Sequence, residues 1–141
     1  MSARDGEELV VAYLDAVSAL DAAAVAPLFA ADGRVDLPYA PEGVPRSIEG
    51  REAIDAYYRA LPEMVSEMNF TDYRVHALDE PGEYVAEYRS SSSMRATGAP
   101  YANTYITRVS VRDGEITRLA EFFDPVELIR AMGGTVRPAG A

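Results

Sequence analysis

The chain has no cysteine, no lysine and a single histidine, His76. Without thiols there is no thiolate nucleophile and no disulfide framework, and one imidazole cannot build the nitrogen and sulfur cluster that zinc or copper takes. No metal is expected. Basic residues are scarce: 13 arginines face 23 acids, for a net charge of −10. That balance opposes binding to phosphate backbones and sets nucleic acid aside as a partner. No apolar run approaches the ~20 residues that span a bilayer, so no membrane partner is expected either. Met1 to Glu8 carry charges where a secretory signal places its apolar segment, which makes the cytoplasm the expected location. No Gly-rich phosphate loop is visible, and no cofactor is expected.

What is present is ordinary for one folded domain: 141 residues, 48% hydrophobic and 26% charged. A chain of this length buries roughly 68–70% of its unfolded surface, enough for a core and a cavity together. Residues 1–133 read as a single domain and 134–141 as a loose tail rich in Gly, Pro and Ala. From Asp5, a candidate N-cap, Leu9, Val10, Tyr13, Leu14, Val17 and Leu20 recur at helical spacing. A second helix runs from Asp21 through Val25, Leu28 and Phe29 toward Asp32-Gly33, and Arg34 to Tyr39 reads as a short strand. A third helix carries Ile54, Tyr57, Tyr58 and Leu61 and is expected to stop near Pro62.

The period then changes. Phe70–Leu78, Tyr84–Met94, Tyr101–Val111 and Glu115–Phe123 are rich in β-branched and aromatic residues, with Pro81-Gly82 and Asp113-Gly114 as turns. Asp124-Pro125-Val126-Glu127 combines a cap, a proline at the first helical position and a capping-box glutamate, opening a short helix to Met132. Helices first and an antiparallel meander afterwards predict an α+β fold: three N-terminal helices on a curved sheet that encloses a pocket, with a short C-terminal helix.

Glu121 interrupts the apolar run Leu119-Ala120-Glu121-Phe122-Phe123 on the same strand face as Leu119 and Phe123. A carboxyl desolvated there has a raised pKa, which suits a group that both donates and accepts a proton near neutrality; the alternative is a buried ion pair with an arginine. Asn103 and Tyr105 share a face with Thr107, and polar groups on an interior strand need ligand, water or one another. Tyr39, Tyr57, Tyr58 and Tyr88 can form an aromatic wall with hydroxyl tips, or serve as core. Ser90 to Ser93 is a strand with small polar side chains or a lip over the cavity. His76 reads as a surface histidine.

The order of elements and several strings resemble the nuclear-transport-factor-2-like superfamily, which includes ketosteroid isomerases, limonene epoxide hydrolases and SnoaL-like polyketide cyclases. Leu9-Val10-Val11-Ala12-Tyr13-Leu14 and Leu28-Phe29-Ala30-Ala31-Asp32 resemble the first two helices of ketosteroid isomerases. Asn103-Thr104-Tyr105-Ile106, Asp113-Gly114-Glu115-Ile116, Glu121-Phe122-Phe123-Asp124-Pro125 and Arg130-Ala131-Met132-Gly133 are similar to the phenazine-biosynthesis A/B proteins. The resemblance implies a cone-shaped α+β fold and a cofactor-independent isomerase or cyclase acting on a small hydrophobic, polyketide-like or cyclic ketone substrate. The alternatives are a non-catalytic binding protein or epoxide opening by water. It implies catalytic positions at Glu121, Tyr13 and Asp36, the last only if a bulge re-aims it, since the isomerase base falls at Leu37; Tyr13, on the apolar stripe of its helix, reads equally as core with a satisfied hydroxyl. It also implies a substrate wall from Leu37, Tyr39, Tyr57, Tyr58, Tyr88, Ser90, Asn103, Tyr105, Leu119 and Phe123. Where epoxide hydrolases carry an arginine and an aspartate, this chain has Tyr88 and Ser90, with Arg89 facing the other way. Tyr57 stands where phenazine proteins have a histidine. A homodimer through the outer sheet face is expected, covering aromatic residues such as Tyr84.

Overall fold

In a computed structural model, residues 3–140 are described. Helix α1 (Ala3–Ser18) presents Val10, Tyr13, Leu14 and Val17 as one buried stripe and packs on the sheet. Helix α2 (Ala22–Val25) is a single turn followed by a 3-10 turn at Ala26–Leu28. The second helix therefore ends earlier than its apolar spacing suggests: Pro27 falls in the 3-10 turn and Phe29 already opens strand β1 (Phe29–Asp36). Asp32-Gly33 lies inside that strand, in a stretch where its register shifts. A three-residue strand, β2 (Ser47–Glu49), escaped the sequence reading. Helix α3 (Arg51–Met64) continues two residues past Pro62. The proline sits in the last turn, where its missing N–H costs one bond, and Val65 still donates to the Leu61 carbonyl at 3.1 Å.

Strands β3 (Phe70–Ala77), β4 (Glu83–Ser93), β5 (Pro100–Arg112) and β6 (Glu115–Phe123) form the expected meander, and α4 (Pro125–Ala131) follows. The β5–β6 hairpin turns at Asp113 (φ 51°) and Gly114 (φ 77°), the paired left-handed conformation of a two-residue turn. The sheet order is β2-β1-β6-β5-β4-β3, and it curves without closing. It is mixed, because β1 pairs with β6 in parallel while the other neighbours are antiparallel.

Alternation along β5 divides the sheet. Tyr101, Asn103, Tyr105, Thr107 and Val109 are buried toward the helices, whereas Ala102, Thr104, Ile106 and Arg108 face outward. Tyr84, expected on the outer face, is only 2% exposed, because α1 lies across it; a Cβ at Gly6 would collide with its ring. Asp124 caps α4 as predicted, accepting from Val126 N at 2.9 Å. The Asp124 N–H goes to Asn103 Oδ1 at 3.0 Å rather than to Glu127, so the reciprocal half of the capping box is replaced by a bond to the sheet.

Candidate active site

The inner face of the sheet brings Tyr88, Thr107 and Glu121 together from three adjacent strands. Thr107 and Glu121 are register partners across β5 and β6, and Ala86, two residues before Tyr88, pairs with Thr107 across β4 and β5. Tyr88 Oη lies 2.6 Å from Glu121 Oε2 and 2.6 Å from Thr107 Oγ1. A phenol has one hydrogen. With Glu121 ionised, Tyr88 donates to the carboxylate and Thr107 donates to Tyr88, which makes a directed chain ending on Oε2. Oε1 has no hydrogen-bond partner among the described residues.

Glu121 is half-buried by surface area only because it borders a cavity; the carboxyl itself lies deep among protein atoms. Burial pushes its pKa up to about 7, and the bond from Tyr88 offsets part of that rise. No arginine among the described residues is paired with it, since the ion pairs of Arg34, Arg51, Arg59, Arg108, Arg112 and Arg118 all go to other acids. The buried Glu and Arg pair that sequence left open as an alternative is therefore not what forms. The phenols of Tyr13, Tyr57, Tyr58, Tyr88, Tyr101 and Tyr105 are all pushed up, foremost by burial and further by the Glu121 charge, so they remain neutral hydrogen-bonding groups.

The cavity measures about 60 Å³, room for a few waters. Its walls include Leu37, Tyr57, Tyr105, Glu121 and Phe123, all predicted. Sequence reasoning missed Met64, Met68, Val44, Leu128 and Tyr101. For Tyr101 a signal existed, since it begins the same alternation as Asn103, Tyr105 and Thr107, and Met64 continues the helical stripe of Tyr57 and Leu61 past Pro62; Met68 lies between α3 and β3, where no period applies.

Other predicted positions fall behind the wall. Tyr13 Oη and Tyr58 Oη share a 2.6 Å hydrogen bond and are fully or nearly fully buried. Ser90 Oγ meets Tyr105 Oη at 2.9 Å, and Tyr105 stacks on Tyr88 with ring centroids 4.8 Å apart. Asn103 Nδ2 donates to Tyr101 Oη at 2.7 Å and to the Asp124 carbonyl at 3.0 Å. These polar side chains satisfy one another. Leu119 is buried on the same face without bordering the cavity. Ser92 Oγ donates to the Met68 carbonyl at 2.9 Å, so the serine run is part of β4 and not a lip.

Two predicted positions are corrected. Asp36 points to the outer face, because Val35 and Leu37 take the inward positions; no bulge re-aims it. There it accepts from Arg34, Arg118 and Ser47 at 3.0–3.1 Å. Burial pushes its pKa up, but these bonds outweigh it and hold the carboxyl below its usual range. Tyr39 is 56% exposed and packs its ring edge-on to Phe122, 5.3 Å between centroids, outside the cavity. His76 pairs with Glu87 at 3.1 Å on the surface, as expected. A larger groove of about 520 Å³, lined by Thr71, Arg89, Thr104 and Asp124 among others, opens on the outer face, away from Glu121.

Comparison with known proteins places this fold in a family. An uncharacterised PhzA/B-like protein of Pseudomonas aeruginosa is 31% identical over 130 residues, 92% of each chain. The crystal structure of a Bacillus subtilis protein provisionally named an isomerase superposes with a TM-score of 0.87 at 28% identity, covering 96% of this chain and 98% of that one. One provisionally named a polyketide cyclase, from Xanthomonas campestris pv. campestris, gives 0.79 at 26% identity over 91% and 96%. The SnoaL-like domain matches residues 10–119, from α1 into β6 and ending two residues short of Glu121. With the fold, the relatives and that match in agreement, the chain belongs to the SnoaL-like domain family.

Proposed function

We propose that the protein is a cofactor-independent isomerase or cyclase that moves a proton on a small hydrophobic carbonyl compound, polyketide-like or a cyclic ketone, held against Glu121. The observation that carries the reading is a carboxyl at a cavity wall with one free oxygen, no cationic partner and a pKa of about 7. Such a group is present in both protonation states near neutrality, which is what a combined acid and base requires. Glu121 Oε1 takes a proton from carbon beside the carbonyl, the C–H pair becomes a C=C bond, and the carbonyl pair moves onto oxygen. Tyr57, on the cavity wall with no hydrogen-bond partner among the described residues, donates to that oxygen. The protonated Glu121 then returns the proton at another carbon.

The cavity is smaller than the roughly 300–1,000 Å³ of most ligand sites, so substrate entry displaces wall side chains, among which Met64 and Met68 repack most easily. Epoxide opening gains no support: Tyr88 and Ser90 face inward where an arginine and an aspartate are needed, and Arg89 is exposed on the other face. The test is Glu121→Gln. Cyclic ketones and polyketide-like compounds are screened by thermal shift, then rates are measured on those that bind. Turnover is expected to fall about 10²–10⁴-fold with little change in affinity. A folded Glu121→Gln protein working at the wild-type rate would leave a cavity that only binds or shapes its ligand.

A further inference from the structure

The cavity's charge balance is incomplete. Glu121 is the acid on its wall, and no arginine among the described residues offsets it. The rest of the lining is uncharged: the aliphatic Leu37, Val44, Leu61, Val65 and Leu128 share it with the thioethers of Met64 and Met68 and the rings of Tyr57, Tyr101, Tyr105 and Phe123. Aromatic faces attract a cation through their negative π-surface, and the attraction is strongest where water is excluded. The Glu121 carboxylate on the same wall supplies the full counter-charge. The whole molecule, at −10, adds a field that draws cations rather than anions toward it.

We infer that the Glu121 cavity selects ligands carrying a compact organic cation, a protonated amine or an iminium, with the charge held between the Glu121 carboxylate and the rings of Tyr57, Tyr101 and Tyr105. The inference rests on the reading of this cavity as the substrate site, and it narrows the substrate class. It also suits the chemistry. When Glu121 removes a proton from carbon beside an iminium, the C–H pair forms the enamine C=C bond and the C=N π pair settles on nitrogen. An ion pair becomes two neutral groups, which an apolar cavity favours. With a ketone the same step only relocates the negative charge to oxygen.

Tetramethylammonium chloride is the probe, titrated by NMR into the wild-type protein, with tert-butanol as a neutral molecule of related shape and sodium chloride as the salt control. Tetramethylammonium cannot lose a proton, so any pH dependence belongs to the protein. A site that binds the cation only when Glu121 is ionised loses affinity about tenfold between pH 8 and pH 6, given its pKa of about 7. Tetramethylammonium should bind more tightly than tert-butanol at pH 8, and Glu121→Gln should abolish both that preference and the pH dependence. Tyr101→Leu, which removes a ring but leaves the carboxylate, should weaken the cation more than the alcohol.

Three results overturn the inference: no saturable tetramethylammonium binding from pH 6 to 8, equal binding of the neutral probe, or a pH-independent affinity that survives Glu121→Gln. None of these touches proton transfer. A neutral ketone turned over by wild type and not by Glu121→Gln would keep the catalytic reading while sinking this one.

Discussion

Glu121→Gln should stabilise the protein above neutral pH. In the unfolded chain the carboxyl has its ordinary value of 4.5, and in the folded protein about 7. Between these values the folded state holds a proton that the unfolded state has lost, so the folded state is progressively penalised as pH rises from about 4.5 to 7, and the penalty is constant above that. Two and a half pH units at about 1.36 kcal/mol each make it about 3 kcal/mol. Glutamine keeps the volume and can still accept from Tyr88 through its carbonyl oxygen, yet carries no charge to desolvate. The variant should match wild type near pH 4 and exceed it by about 3 kcal/mol at pH 8, roughly 10 °C in Tm for a chain of this length. Urea denaturation of both proteins from pH 4 to 9 measures the difference directly. Asp36 and Glu83, whose folded pKa values are lowered and whose stabilisation is lost in acid, affect both proteins alike and cancel. A difference that does not grow between pH 4.5 and 7 would refute the burial of an uncompensated carboxyl.

Tyr88→Phe removes the one hydrogen bond among the described residues that favours the ionised carboxylate, worth about 1.5–3 kcal/mol for a charged acceptor. The Glu121 titration midpoint should therefore move up by about 1–2 pH units, read by carboxyl-carbon NMR, and an unmoved midpoint would show that the bond is not made to the ionised form. The exposed Ile106 and its register partner Phe122, with Tyr39 beside it, make an apolar patch on the outer sheet face. We propose that this patch pairs two copies. Sedimentation should give twice 15.3 kDa, and Ile106→Arg should return the monomer; a wild-type monomer at micromolar concentration would rule the pairing out.

The four long strands and α4 were legible because each depends on a local signal: a period of two, a left-handed Asp-Gly pair, a capping aspartate before proline. The second helix was overread because its apolar spacing continues into Phe29, whereas the backbone becomes extended there and pairs with Ile116, far away in sequence. Pro62 marked the end of the third helix to within one turn, since the helix runs only to Met64. At the site, Glu121, Tyr105 and Tyr57 could be placed by face. Asp36 could not, because its orientation depends on β1 being regular where it passes β6. The choice of Tyr88 as the carboxylate's donor was equally hidden, being settled by a register spanning three strands. Tyr84 is a different case: it shares the period of two with Tyr88 and Ser90, so the alternation of β4 already turns it inward, where α1 covers it.

The parallel pairing of β1 with β6 also bears on how the molecule is made. Val35 meets Leu119 across a chain separation of more than 80 residues, so the first strand waits unpartnered on that side until the last is present. Contacts that close so large a loop are costly in entropy before they return anything, which places this protein among slower-folding topologies. The strand that joins the two ends of the sheet also carries Glu121. On the ribosome helices α1 to α3, β1 and the β3–β5 meander can collapse early, yet the acid site arrives only with the strand that completes the sheet. A truncation ahead of β6 removes the carboxylate and the seam together, so partial chains lack the site altogether.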